Sequence, residues 1–157
     1  MARKKQTLKI SHEIDVTLIG ISCHLRSYQL SFAINKELGF NFRRIDDFLL
    51  PDGTTGNTLE FPFMLHEDAD LKTHFCLIAN HHPQGKLIPA IGQVDYFLLA
   101  TEPLESGILD TVITKIRNIP QVLAAYRIDP SKVRDFGTLL AEMELHLLSS
   151  ARKQGRP

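Results

Sequence analysis

The chain has 157 residues, of which 43% are apolar, and it carries 18 basic and 18 acidic residues. This length and composition predict a single globular domain over residues 1–157, and the balanced charge argues against nucleic acid as a partner. No apolar run approaches the ~18 residues that a membrane span requires. Two cysteines without metal or redox spacing predict free thiols and a cytoplasmic location.

Both ends of the chain are polar. Residues 1–12 include four basic side chains and are expected to form a flexible basic arm, and residues 152–157 are expected to form a polar tail. Four basic side chains alone are weak evidence that the arm binds a polyanion, so the arm does not predict a nucleic acid partner.

The first regular elements are a strand and a helix. A strand is predicted over about residues 14–22, where β-branched and apolar residues occupy both faces. A helix is predicted over residues 25–38, because Gly39 suits the left-handed conformation that ends a helix. The apolar residues of this helix form two stripes, one of Leu25, Tyr28 and Phe32, the other of Leu30, Ile34 and Leu38.

The two stripes predict a partner for this helix. If the first stripe packs on the sheet, the second must be covered by the last helix or by a second copy of the chain. We therefore predict a homodimer whose interface includes Leu30, Ile34 and Leu38, or an edge strand that contains Pro62.

The middle of the chain predicts an antiparallel meander. Residues 40–50 are compatible with a short strand or with a helical turn, and a loop follows them. Alternation over residues 59–66 predicts a half-buried strand, and Pro62 places that strand at an edge of the sheet. Residues 71–80 complete a hairpin with it, and a turn leads into the next strand.

The strongest strand pattern covers residues 94–101, which are mostly apolar on both faces. Pro89 and Gly92 indicate that pairing is interrupted just before this strand. Asp95 is the one carboxylate in the run. It is expected to accept hydrogen bonds at the strand entry or, alternatively, to face a ligand, while Tyr96 is expected to fill the core.

The remaining chain predicts a helix, a strand over residues 122–128 and a final helix. The helix between them should make the last strand parallel to residues 94–101. Asp129 and Pro130 are expected to start a final helix that extends to about residue 148. The order β-α-β-β-β-α-β-α indicates an α+β fold with a mainly antiparallel sheet and helices on one face. It is similar to ferredoxin-like and ACT-like domains in element order only.

A short motif lies at the entry to the strand at residues 94–101. It consists of Ile88 and Pro89, then Ala90 and three further residues, and then Val94, Asp95 and Tyr96. This motif resembles the signature of the IPExxxVDY family of small bacterial proteins, with Ala90 where that family has glutamate. The flanking segments LIGISCHLRSYQLSFAINKELGF and IPQVLAAYRIDP extend the resemblance over most of the chain. The resemblance implies no catalytic residue, and we expect the motif to be structural.

The residues that could bind a metal, act as a nucleophile or bind a phosphate lack the sequence spacing that these functions require. The histidines form no HExxH or similar pattern, so neither a metal nor another cofactor is predicted. Cys23 and His24 could form a nucleophile pair, but neighbours on a strand point to opposite faces. No glycine-rich phosphate loop occurs.

Three functions therefore stay open. The first expectation is a non-enzymatic interaction or adaptor protein that acts as a homo-oligomer, because no catalytic constellation is present and one helix is apolar on two sides. The alternative is a small-metabolite-binding regulatory module resembling ACT domains. An enzyme is the third, and the sequence indicates no catalytic residue for it.

Overall fold

A computed structural model describes residues 14–53 and 55–154 of the chain. Its strands are β1 (Thr17–Cys23), β2 (Arg43–Pro51), β3 (Thr58–Asp68), β4 (Thr73–Ala79), β5 (His81–His82), β6 (Gly85–Lys86), β7 (Tyr96–Ala100) and β8 (Val122–Ile128). Its helices are α1 (Ser27–Leu38), α2 (Ser106–Arg117) and α3 (Phe136–Gln154), and short 3-10 turns occupy Pro89–Ile91 and Pro130–Lys132. The arm predicted at residues 1–12 lies outside the described residues.

The main sheet has six strands in the order β2-β3-β4-β7-β1-β8, and every neighbouring pair is antiparallel. The strands β5 and β6 form a separate small hairpin. The α+β class and the mainly antiparallel sheet are therefore confirmed. The strands β7 and β8 run parallel to each other, as the helix between them predicts, but β1 lies between them and pairs with both.

The segment at residues 40–50 forms β2, which gives the main sheet one strand more than the predicted order. Because β3 lies between β2 and β4, the prediction that Pro62 marks an edge strand is wrong. The pairing of β2 with β3 is irregular between Ile45 and Phe48, and the pairing of β3 with β4 begins only at Phe63. Pro62 therefore lies where the ladder is already interrupted, and its missing N–H is tolerated.

Helices cover both faces of the sheet, so the prediction that they share one face is wrong. On one face, Leu30 of α1 and Ile116 of α2 pack with Ile19 of β1. On the other face, Phe136 of α3 packs with Phe63 of β3. The central strands are apolar on both sides, and such a sheet requires a layer of helices on each face.

The helix α1 presents to the sheet the stripe that was expected at an interface. Leu30 and Ile34 are fully buried in the core and Leu38 is half-buried against it, so the predicted interface at these residues is wrong. Tyr28 and Phe32, from the other stripe, are exposed instead.

A polar clamp on α1 accounts for this rotation. The Oδ1 atom of Asn35 accepts a hydrogen bond from the N–H of Phe42 at 2.7 Å, and Nδ2 donates to the Phe42 carbonyl at 3.2 Å. The clamp turns the Ile34–Asn35 side of the helix towards the chain that enters β2. As predicted, Gly39 ends the helix in the left-handed region, with φ of 72°.

The final helix is displaced along the chain from its predicted position. Asp129 accepts a hydrogen bond from the N–H of Ser131 at 3.0 Å, but it caps the turn Pro130–Lys132 rather than α3. The helix itself begins at Phe136 and continues through residues 152–154, which were expected to be tail. Residues 155–157 lie outside the described residues. Within the described part of the chain, no helix is long and apolar enough to cross a membrane.

Candidate functional site

The motif residues lie in and beside a loop at residues 87–95, here called the motif loop, which leads into β7. Ile88 and Val94, near the two ends of the loop, are buried in the core on the α3 face of the sheet. Val94 packs closely on β1, because a side chain at Gly20 would meet it at 3.0 Å. Apolar contacts thus attach the motif loop to the sheet at both ends.

A fully buried asparagine, Asn80, holds the motif loop from within. Its Oδ1 accepts a hydrogen bond from the N–H of Ile88 at 2.7 Å. Its Nδ2 donates to the carbonyls of Val94 at 2.9 Å and of Ile91 at 3.3 Å. Asn80 is not among the residues that the sequence pattern singles out, although an asparagine that ends an apolar strand before a turn is a typical anchor of local backbone.

Asp95 lies at the entry of β7, beside the end of β1. Its Oδ2 accepts a hydrogen bond from the N–H of Cys23 at 2.8 Å, and its Oδ1 lies 2.8 Å from Nε2 of His81. Its own N–H donates to the carbonyl of Ile21. Both carboxylate oxygens are therefore engaged by the protein, which favours the structural role over the ligand-facing one.

Tyr96 connects the motif loop to the start of α1. Its hydroxyl donates to the carbonyl of Leu25 at 2.5 Å, and its ring is buried. Burial raises the pKa of Tyr96, and a hydrogen bond with Ser27 opposes this rise only in part. The hydroxyl therefore stays protonated and acts as a donor that ties two elements together.

The position of Ala90, where the IPExxxVDY signature has glutamate, lies on the surface. Pro89 and Ala90 are exposed and border an apolar groove of about 370 Å³ beside the start of α3, with Arg134 on its rim. The alanine therefore changes this rim and leaves the buried contacts of the motif loop unaffected.

The cysteines are poorly placed for nucleophilic chemistry. Cys23 and Cys76 are free thiols buried in the core. Burial is the main cause that raises the pKa of both thiols, and a raised pKa lowers the population of the reactive thiolate. His24 is exposed whereas Cys23 is buried, so the two side chains are not arranged as a nucleophile and its base.

Several histidines act as hydrogen-bond partners of the backbone. Nδ1 of His82 accepts from the N–H of Gln84 at 3.0 Å. Nδ1 of His66 accepts from the N–H of Asn41 at 3.1 Å, and its Nε2 lies 3.1 Å from Asp68. Within residues 14–53 and 55–154, no three His, Cys, Asp or Glu side chains come together as a metal site.

Comparisons with known proteins provide no relative for this site. No protein-family model matches the chain, and neither a curated protein nor a solved structure is significantly similar to it. The resemblance to the IPExxxVDY family therefore stays a prediction from the motif and its flanking segments.

Proposed function

We propose that this chain is a non-enzymatic interaction protein that acts as a homodimer, with α1 of one copy packed against α1 of the other. The proposal is carried by an aromatic pair on the outward face of α1, where Tyr28 is 63% exposed and Phe32 is 69% exposed. The two residues are one helical turn apart, so their side chains form one patch. Aromatic side chains are enriched in interface cores and bury roughly 150–250 Å² each.

Lys36, which lies near the same face, fits a second copy in antiparallel orientation. A two-fold axis at Phe32 places Tyr28, about 6 Å from that axis along the helix, opposite the partner's Lys36. An ammonium group over a tyrosine ring is a favourable cation–π contact. Lys36 forms no ion pair with another described residue, so its ammonium group is available to the partner.

The two edges of the sheet are less suited to binding a second copy. On β8, Nε of Arg117 donates to the carbonyl of Ala125 at 2.8 Å, which occupies an acceptor that a pairing strand would need. On β2, the irregular pairing interrupts the strand, and His146 of α3 lies 2.8 Å from the Asp46 carbonyl. Capped and irregular edges resist pairing, so α1 is the preferred interface.

Three finer assignments belong to the same proposal. A ferredoxin-like arrangement is supported by the strand order β8-β1-β7-β4 with α1 and α2 on one face, to which β2, β3 and α3 are additions. Membership of the IPExxxVDY family is supported by the motif, and a cytoplasmic location by the free thiols of Cys23 and Cys76. A second function, small-metabolite binding, is supported by a cavity on the α3 face.

Light scattering coupled to size exclusion, at micromolar concentrations, tests the dimer. We expect Phe32→Lys to give a folded monomer, because it places a charge at the centre of the apolar patch in both copies. The matched control is Leu123→Lys on β8, since Leu123 is 68% exposed and thus as accessible as Phe32. The control should stay dimeric, and circular dichroism should show both variants folded.

Charge reversal tests the antiparallel geometry. Lys36→Glu should weaken the dimer, because it replaces the ammonium group over the partner's Tyr28 ring with a carboxylate. A wild-type chain that is monomeric under these conditions would contradict the homodimer. A dimer that survives Phe32→Lys would place the interface elsewhere.

A further inference from the structure

One buried polar side chain, Ser150 of α3, makes no hydrogen bond within the part of the chain that the structure describes. Five other polar residues of the described chain are buried, and the side chain of each makes a hydrogen bond; they are Thr17, Ser31, His66, Thr73 and Asn80. Ser150 is 5% exposed, and its hydroxyl bonds with no described residue. Unpaired buried hydroxyls are rare, because burial deprives them of hydrogen bonds to water.

Ser150 borders a cavity of about 500 Å³ between the second half of α3 and one end of the sheet. This volume lies within the range of sites that bind small molecules. Leu65 and Leu147 give the cavity an apolar wall, and Leu148, which also lines it, is 63% exposed. The cavity therefore combines an unpaired hydroxyl with apolar surface that a ligand could cover.

Ser150 also borders a second hollow, on the β2 side of α3. There Asp46, His146 and Lys153 already contact one another, since Nζ of Lys153 lies 2.7 Å from Oδ2 of Asp46 and Nε2 of His146 lies 2.8 Å from the Asp46 carbonyl. The larger cavity is therefore the better candidate for a ligand.

Unpaired charges of both signs surround the larger cavity. Lys72 precedes β4, Glu102 follows β7 and Glu144 lies on α3, and all three are exposed and border the cavity. None of them forms an ion pair with another described residue, whereas Arg43 on the same wall is paired with Glu67 at 3.0 Å. The cavity thus offers one uncompensated ammonium group and two uncompensated carboxylates.

We propose that this cavity binds a small zwitterion with an apolar side chain, namely an aliphatic amino acid. Lys72 and the Ser150 hydroxyl hold the carboxylate of the ligand, and Glu102 and Glu144 hold its ammonium group. The leucines of the cavity cover the aliphatic side chain. The site lies on the α3 face of the sheet and does not depend on the dimer at α1.

Amide NMR spectra of the full chain, recorded with leucine at millimolar concentrations, test the proposal. Leucine should shift the signals of residues 72–74, 101–102 and 144–151. N-acetyl-leucine and leucinamide each lack one of the two charges of leucine. Each should therefore bind with an affinity at least about tenfold lower than that of leucine. If leucine, isoleucine, valine and methionine all leave these signals unchanged, the proposal is overturned.

Variants separate a specific site from weak surface binding. Lys72→Gln, and the double variant Glu102→Gln with Glu144→Gln, should each weaken leucine binding about tenfold or more. Lys115→Gln, an exposed lysine on α2, is the matched control and should bind like the wild type. Ser150→Ala should weaken binding without lowering the melting temperature, because the free protein loses no hydrogen bond. Unchanged leucine affinity in all of the cavity variants would overturn the proposal.

Discussion

Replacing Asn80 with alanine removes three side-chain hydrogen bonds from a fully buried position. The N–H of Ile88 is then left unsatisfied, which costs about 1–3 kcal/mol. The carbonyls of Ile91 and Val94 also lose a partner, and the missing amide leaves a small void. We expect the free energy of unfolding to fall by about 3–5 kcal/mol, a large share of the ~5–15 kcal/mol typical of a domain.

Urea denaturation followed by circular dichroism measures this loss. The midpoint should fall while the slope stays constant, because the surface exposed on unfolding hardly changes. Asn41→Ala is the matched control: Asn41 is exposed, its side chain makes no hydrogen bond with the described residues, and the change should stay within about 0.5 kcal/mol. A loss below about 1 kcal/mol for Asn80→Ala would refute the view that Asn80 anchors the motif loop.

The remaining substitutions test the motif, the core and the acid stability. Asp95→Ala should cost about 1–3 kcal/mol in urea titrations by leaving the Cys23 N–H unsatisfied, whereas Asp95→Asn keeps an acceptor and should cost less; equal losses would contradict this role. Ile34→Lys should unfold the chain by circular dichroism, because Ile34 is fully buried, while Phe32→Lys should not. Burial opposes ionisation of Asp68, but its hydrogen bonds with Leu71 and His66 outweigh burial and lower its pKa below the ordinary 3.8. Its ionised form therefore stabilises the fold above the ordinary pKa, and this contribution is lost as pH falls through the lowered pKa. Asp68→Asn should accordingly lose less stability on acidification than the wild type, and an identical loss would contradict the assignment.

Sequence periodicity predicts those elements of this fold whose pattern is regular. The first helix and its end at Gly39 follow from local spacing, and so does the hairpin of β3 and β4. At β2 the sequence pattern does not decide between a strand and a helical turn, because the pairing of β2 with β3 shifts between Ile45 and Phe48. These two buried residues lie three positions apart, which is a helical rather than a strand spacing.

Contacts between distant segments are what the sequence pattern could not predict. A helical wheel shows two apolar stripes on α1 but not which one faces the sheet, since the clamp between Asn35 and Phe42 decides the rotation. Asp95 and Tyr96 stand out within a motif. Asn80, by contrast, donates hydrogen bonds to carbonyls up to 14 residues further along the chain. Its role therefore depends on contacts that exist only in the folded chain.

The proposed dimer surface and the proposed ligand site lie on opposite faces of one sheet, which determines how they should interact. Tyr28 and Phe32 belong to α1, whereas Ser150 and Leu147 belong to α3, and the two helices pack against opposite sides of the sheet. Energetic coupling between two sites requires an element with two arrangements that both sites bias, and a sheet buried on both faces deforms little. We therefore expect leucine to bind the Phe32→Lys monomer with the same affinity as the wild-type dimer, as measured by calorimetry. A tenfold difference, about 1.4 kcal/mol of coupling, would show that α3 and α1 move together through the sheet.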